Sequence, residues 1–195
     1  MDFEKIVSNT EVIRTKRKTI AIQIAADGHL IVRSPLRLPQ RDIITFLDKN
    51  RKWIEKHTEK ALRINSKLAY LEPYSSSDID HMAKSALSVI PDRVQYYADK
   101  LGITYGKITI RNQVTKWGSC TSKGNLNFNC LLMEAPPEVL DSVVVHELCH
   151  RIHMNHSKEF YEKVYSVYPE YDKWDKWLKE NGPLLIRRMQ AGMTK

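Results

Sequence analysis

The sequence predicts an α+β protein: a small N-terminal β-hairpin and helix unit, then a larger domain with a short sheet and a helix that carries two histidines. Three observations lead there. Ile20, Ile22 and Ile24 alternate with Ala21 and Gln23, the period of two that turns one side of a strand toward a core. Ile43, Phe46, Leu47, Ile54 and Ala61 recur at helical spacing. Val139, Leu140, Val143 and Val144 give a second apolar helix face, with no Gly or Pro from 138 to 152.

Each element follows in chain order. Residues 11–33 have strand character, with Asp27-Gly28 as a hairpin turn, because glycine adopts positive φ without steric cost. Leu30-Ile31-Val32 is the return strand, and Pro39 suits the first turn of the next helix. This basic β-β-α unit spans residues 1–62. Residues 63–77 hold Asn65, Ser66, Pro73 and three serines, the composition of a linker or loop. The second domain spans 78–195. It opens with a helix from Asp78 to Leu101, broken or kinked at Pro91, which lacks the amide hydrogen of an interior turn. Lys107–Arg111 and Asn125–Asn129 read as strands, with Trp117–Cys120 as a tight turn between them. The histidine helix runs from Glu138 to about Met154. Two helical segments follow, 157–168 and 170–180, and Asn181-Gly182-Pro183 ends the second.

Composition limits the function classes. With 195 residues, 42% hydrophobic and 28% charged, the chain can bury a core without disulfides. Three cysteines far apart argue against a disulfide framework, and no apolar run is long enough for a membrane helix. The first ten residues lack the apolar core of a secretory signal. A cytoplasmic protein with no membrane association is the expectation. The net charge of +8 is uneven: residues 1–70 hold 15 Lys/Arg against 8 Asp/Glu, whereas the remainder holds 16 against 15. A basic face of this kind attracts phosphates, acidic proteins or nucleic acid, although many such faces only interact with solvent.

The chemistry concentrates in His146-Glu147-Leu148-Cys149-His150. Residues i and i+4 of a helix share a face, so two imidazoles there can reach one metal ion. Glu147 lies near the same side and can accept a proton from a water beside the ion. His156 stands ten residues after His146 and supplies a third ligand if the chain leaves the helix and turns back, for which Met154-Asn155 offers a place. Three protein ligands with one open position is the arrangement of a catalytic zinc site. His153, three residues after His150, competes for the third place, and Glu159 does so more weakly. Cys149 lies round the helix from His150 and reads as a buried thiol. A structural zinc site would be four-ligand and thiolate-rich, and it would leave Glu147 without a role.

Beyond this motif the sequence resembles the YgjP-like metal-dependent hydrolases, small zincin-type metallopeptidases. Its Trp-Gly-Ser-Cys element stands here as residues 117–120, followed by Gly124 to Asn129. Its V-V-H-E-L-x-H helix stands as 144–150, its N-H-S-x-x-F as Asn155 to Phe160, and its P-x-Y…W-L segment as Pro169 to Leu178. The basic hairpin from Arg14 to Val32 matches as well. The resemblance implies a zincin-like second domain, His146, His150 and His156 as ligands of one zinc ion, and Glu147 as general base. Lys116 replaces an Arg, Tyr161 a Trp, and Cys130 a larger residue; none belongs to the ligand set.

A zinc-dependent peptidase acting on peptide or protein is therefore the leading expectation. His153, Arg151 and Tyr161 are candidates for orienting a ligand or stabilising an oxyanion. Trp117 is expected to pack beneath the metal helix or line the substrate cleft. By the resemblance, Asn125–Asn129, with Asn127 at its middle, is expected to be an edge strand that pairs with extended peptide. Two alternatives use the basic residues Arg14, Lys16, Arg17, Lys18, Arg33 and Arg37. One is a metal-dependent nucleotide pyrophosphatase that holds phosphates there. The other is a DNA-associated protease docked through the N-terminal unit.

Overall fold

The computed structural model describes residues 3–193, in two compact units, 1–71 and 72–195. In the first unit, α1 (Phe3–Ser8) precedes β1 (Thr10–Thr15), β2 (Ala21–Ile24) and β3 (Leu30–Pro35), and then α2 (Gln40–Lys49) and α3 (Arg51–Leu68). The strand region resolves into three strands ordered β1-β3-β2, not a simple hairpin. β2 and β3 form the expected antiparallel pair, closed at Gly28 with φ 87°. β1 adds to the other side of β3, parallel to it, from Thr10 opposite Leu30 to Thr15 opposite Pro35. One face of the central strand, Leu30, Val32 and Ser34, is buried. It packs with Ile6, Ile43, Leu47 and Ile54 into a core of its own.

The expected linker begins later than its composition suggests. α3 continues to Leu68 because Ile64, three residues beyond buried Ala61, extends the same apolar face. The division between the units falls after Leu71.

The second unit opens with α4 (Ser76–Leu101), capped by a reciprocal pair: the Asp78 amide donates to Ser75 Oγ and the Ser75 amide to Asp78 Oδ2. Pro91 does not break this helix. Ile90 and Val94, fully buried on either side, hold it against the core. β4 (Ile108–Arg111), β5 (Gly118–Cys120) and β6 (Leu126–Asn129) form a sheet ordered β4-β6-β5. Residues 118–120 are thus a strand and not the expected tight turn. A 3-10 turn (Cys130–Glu134) leads to α5 (Pro137–Cys149), then α6 (Lys158–Val167) and α7 (Tyr171–Met193).

α5 is buried nearly all round, as befits a central helix. Arg93 of α4 braces it through a two-pronged pair to Asp141, at 2.7 and 2.6 Å, and the Tyr97 hydroxyl donates to the same carboxylate. α7 corrects the expected stop at Asn181-Gly182-Pro183: it runs through all three, with Leu178 and Met189 buried on either side. Gly182 is small because Trp117 lies against it; a Cβ there would stand 2.7 Å from the indole ring.

Candidate metal centre

α5 delivers His146 and Glu147 in its last turn and ends at Cys149, one residue before His150 and earlier than the expected Met154. The chain then turns through residues 150–156 and restarts as α6, where Ser157 Oγ accepts the Phe160 amide as the N-cap. No non-glycine residue among those described has positive φ, so the reversal does not use a left-handed Asn155. It brings His156 back over α5.

The imidazole nitrogens of His146, His150 and His156 lie within 4.8 Å of one another. Nε2 of His146 and Nε2 of His156 are 3.0 Å apart. Nitrogens bound tetrahedrally to one ion at ~2.0–2.1 Å stand about 3.3 Å from each other, so this set fits a divalent metal such as zinc. His153 does not join the cluster with its side chain. It contributes its carbonyl, 3.1 Å from Nδ1 of His150, which turns Nε2 of that ring toward the cluster. Glu159 also stays outside.

His146 is held in a matching way. Its Nδ1 lies 2.8 Å from the hydroxyl of Tyr171, whose ring stacks on the imidazole at 17°. Tyr171 is buried, and that burial raises the phenol well above its ordinary pKa, so it remains a neutral hydroxyl. Burial, then the neighbouring His150 and His156, pushes the His146 imidazolium down to about 3. His150 moves in the same direction, chiefly by burial. Both rings are neutral near pH 7, the state in which imidazole binds a metal. Tyr171 is a site residue that motif spacing did not single out; its only trace in the sequence is the third position of the P-x-Y element.

Glu147 is not among the clustered ligands. Its carboxyl is buried, and burial pushes it up to about 8, against the opposing pull of Lys116 and of the Cys120 backbone. It lies against Gly118 of β5. A Cβ at 118 would stand 2.6 Å from Glu147 Oε1, so only glycine leaves the carboxyl its place. A cleft of about 210 Å³ opens beside His146 and Glu147, lined also by Lys116, Trp117, Val143, Tyr171, Asp175 and Leu178.

Three imidazoles gathered on one point, with a buried carboxyl beside them, are the features a metallopeptidase family would share. The model of the YgjP-like metallopeptidase domain matches residues 18–79 and 77–181. The chain belongs to this family. No curated protein matches the sequence. Among solved structures it is similar to the metallopeptidase zymogen abylysin of Pyrococcus abyssi, with a TM-score of 0.43 and 22% identity over 47% of this chain and 93% of that one. It is similar also to the zymogen jannalysin of Methanocaldococcus jannaschii, with a TM-score of 0.43 and 23% identity over 47% of this chain and 95% of that one. Family membership supports a metal-dependent peptidase. No helix among the described residues is long and apolar enough to cross a membrane.

The other expected site residues separate into two groups. Tyr161 belongs to the centre, stacked on His156 and adjoining Phe160 and Tyr171. Trp117 lines the cleft while its ring packs on Gly182. Arg151, in contrast, braces loops: its guanidinium donates to the Thr104 and Ser122 carbonyls and covers Gly124. Asn127 does not lie on an edge. β6 is the central strand, parallel to β4 and antiparallel to β5, so its backbone is engaged on both sides, and the Asn127 amide donates to Ser119 Oγ. The edge strand beside α5 is β5. Asn129, fully buried, holds the approach to it: its Nδ2 donates to the Gln113 and Lys116 carbonyls, and its Oδ1 accepts the Leu131 amide. Burial pushes the Cys120 thiol up and away from the thiolate. Cys149 is buried, as its position on the helix implied.

Proposed function

We propose that this chain is a zinc-dependent peptidase in which His146, His150 and His156 hold the ion and Glu147 serves as general base and then general acid. The observation that carries this reading is the convergence of the three imidazoles with the buried Glu147 carboxyl fixed beside them against β5. The three imidazoles would hold a zinc ion whose Lewis acidity would polarise a carbonyl and acidify a water near neutral pH. The ion's positive charge would draw the Glu147 carboxyl back toward the ionised form that accepts a proton. Glu147 then takes the proton from the attacking water and passes it to the departing amine. The His153 carbonyl, which can only accept, holds His150 in the tautomer that leaves Nε2 free, and the Tyr171 hydroxyl would accept from Nδ1 of His146 and orient that ring in the same sense.

The free edge of β5 suits an extended peptide. β5 pairs only with β6 among the described residues, and its Gly118 end adjoins Glu147. A substrate strand added there forms main-chain hydrogen bonds that do not depend on sequence. The cleft bounded by Trp117, Val143 and Leu178 would then take a substrate side chain.

Replacing Glu147 with glutamine tests the reading. The change keeps size and hydrogen bonding and removes the proton acceptor. The variant should fold, retain about one zinc per chain and lose at least ~10²-fold in peptide turnover. Turnover at the parent rate would remove Glu147 from the chemistry and the mechanism with it.

A further inference from the structure

We propose that one end of the N-terminal sheet docks on double-stranded nucleic acid through its phosphate backbone. The sheet's topology assembles the surface. Thr15 ends β1 opposite Pro35 at the end of β3, and β2 starts at Ala21 opposite Arg33. The connection 16–20 and the segment after Pro35 therefore leave from the same end. That end gathers Lys16, Arg17, Lys18, Arg33 and Arg37, with Lys16, Lys18, Arg33 and Arg37 exposed. Between Glu11 and Asp42 the chain carries seven Lys/Arg and a single acid, Asp27. Asp27 sits in the β2–β3 turn at the opposite end, near where Glu11 pairs with His29. Asp42, the first acid after Arg37 along the chain, pairs with Arg41.

Two details point to an anion rather than to a merely solvated face. Arg14, pointing to the helix side, donates to the Pro35, Leu36 and Leu38 carbonyls and so holds the Arg37 loop in place. The rim is thereby ordered before any partner arrives, which lowers the ordering cost of binding. Arg17 directs Nη2 to Thr19 Oγ1, but its buried Nε has no acceptor. Arg17 is half-buried and pairs with no carboxylate among the described residues, so the charge of its guanidinium is left for an anion at the surface.

The form of the anion follows from what surrounds the cations. No Phe, Tyr or Trp occurs from residue 4 to 45, so the rim offers no platform on which unpaired bases could stack. Hydroxyls do accompany the cations, at Thr15 and Thr19, and hydroxyls with Arg and Lys are the usual contacts of a duplex backbone. Leu36 is the one large apolar side chain exposed there, too little for insertion into a lipid surface.

The test uses the full-length protein and a fluorescent mixed-sequence DNA duplex of about 20 base pairs, followed by anisotropy between about 50 and 200 mM salt. Five phosphate contacts give a slope of log K against log salt near −4.5, at about −0.9 per contact. Lys16→Glu with Lys18→Glu should flatten that slope by about 2 and weaken binding at least ~10-fold. Lys52→Glu with Lys56→Glu, exposed on α3 with the same change in net charge, should bind as the parent does. Lys16→Gln with Lys18→Gln should lose the same two contacts, and it covers the case in which the glutamates disturb folding, which melting temperatures reveal. The proposal is overturned if the two glutamate pairs weaken binding equally, since net charge alone would then be at work. It is equally overturned if the duplex is not bound at low salt, or if a single strand, a nucleoside triphosphate or vesicles with anionic lipid bind more tightly than the duplex.

Discussion

Replacing Gly118 with alanine probes the position of the Glu147 carboxyl without touching any group that ionises or binds metal. Gly118 does not need glycine's backbone freedom, because its φ is not positive. What it needs is space. An added Cβ would stand 2.6 Å from Glu147 Oε1, 2.7 Å from Cγ and 2.9 Å from Cδ, where ordinary contact begins at 3.4 Å. The carboxyl or the strand must therefore yield by about 0.8 Å, the difference between the first and last of these distances. The carboxyl has little room, being 6% exposed, and β5 is tied to β6 along its other edge. Displacing a reacting group by ~1 Å costs on the order of 10²-fold in rate, at the lower bound of what a general base contributes. Overpacking should also cost about 1–3 kcal/mol of stability. The assay is turnover of a quenched fluorescent peptide pool beside metal content by mass spectrometry. The expected result is full metal content with roughly 10²-fold lower kcat. A variant that keeps both its metal and the parent's rate would show that the contact between Gly118 and Glu147 does not position the base.

Three further outcomes are expected. His156→Ala should lose metal affinity by orders of magnitude in chelator competition, whereas His153→Ala, which keeps the backbone carbonyl on His150, should largely retain it; the opposite ranking would exchange the two residues. Tyr171→Phe should weaken metal binding by about 10–100-fold, with the melting temperature of the metal-free protein little changed, because only the partner of His146 Nδ1 is removed; unchanged affinity would deny Tyr171 a part in orienting the ring. Gly182→Ala should lower the melting temperature, at a cost of about 1–3 kcal/mol, since the new methyl meets the Trp117 indole at 2.7 Å, and an unchanged melting temperature would show that this packing yields freely.

The features legible in the sequence are those set by local geometry. His146 and His150 can be paired from their spacing because one helical turn aligns them whatever surrounds the helix. The Asp27-Gly28 turn and the Ser157 cap are equally local. Strand order is not local, and there the sequence misleads. β6 has the same alternating pattern at the centre of the sheet as it would at an edge, so only the pairing with β4 and β5 moves the free edge from Asn127 to β5. The Asn181-Gly182-Pro183 signal fails for a related reason. Packing of Leu178 and Met189 on both sides of it outweighs the local preference to end the helix.

The choice between His156 and His153 depends on how the chain turns after α5, and the structure ties that choice to the rest of the site. The turn that carries His156 inward also leaves the His153 carbonyl facing His150, so the histidine outside the cluster fixes the orientation of one within it. The two separate motifs of the family join in the same way. Trp117 packs on Gly182 of α7, the helix that also bears Tyr171, while the neighbouring Gly118 makes room for Glu147. Tyr171 in turn holds His146, the residue before Glu147. The Trp-Gly-Ser-Cys element and the histidine helix, nearly thirty residues apart in the sequence, thus act through a shared set of contacts. One glycine gives the carboxyl its position. The tryptophan beside it sets the helix from which the first imidazole is oriented.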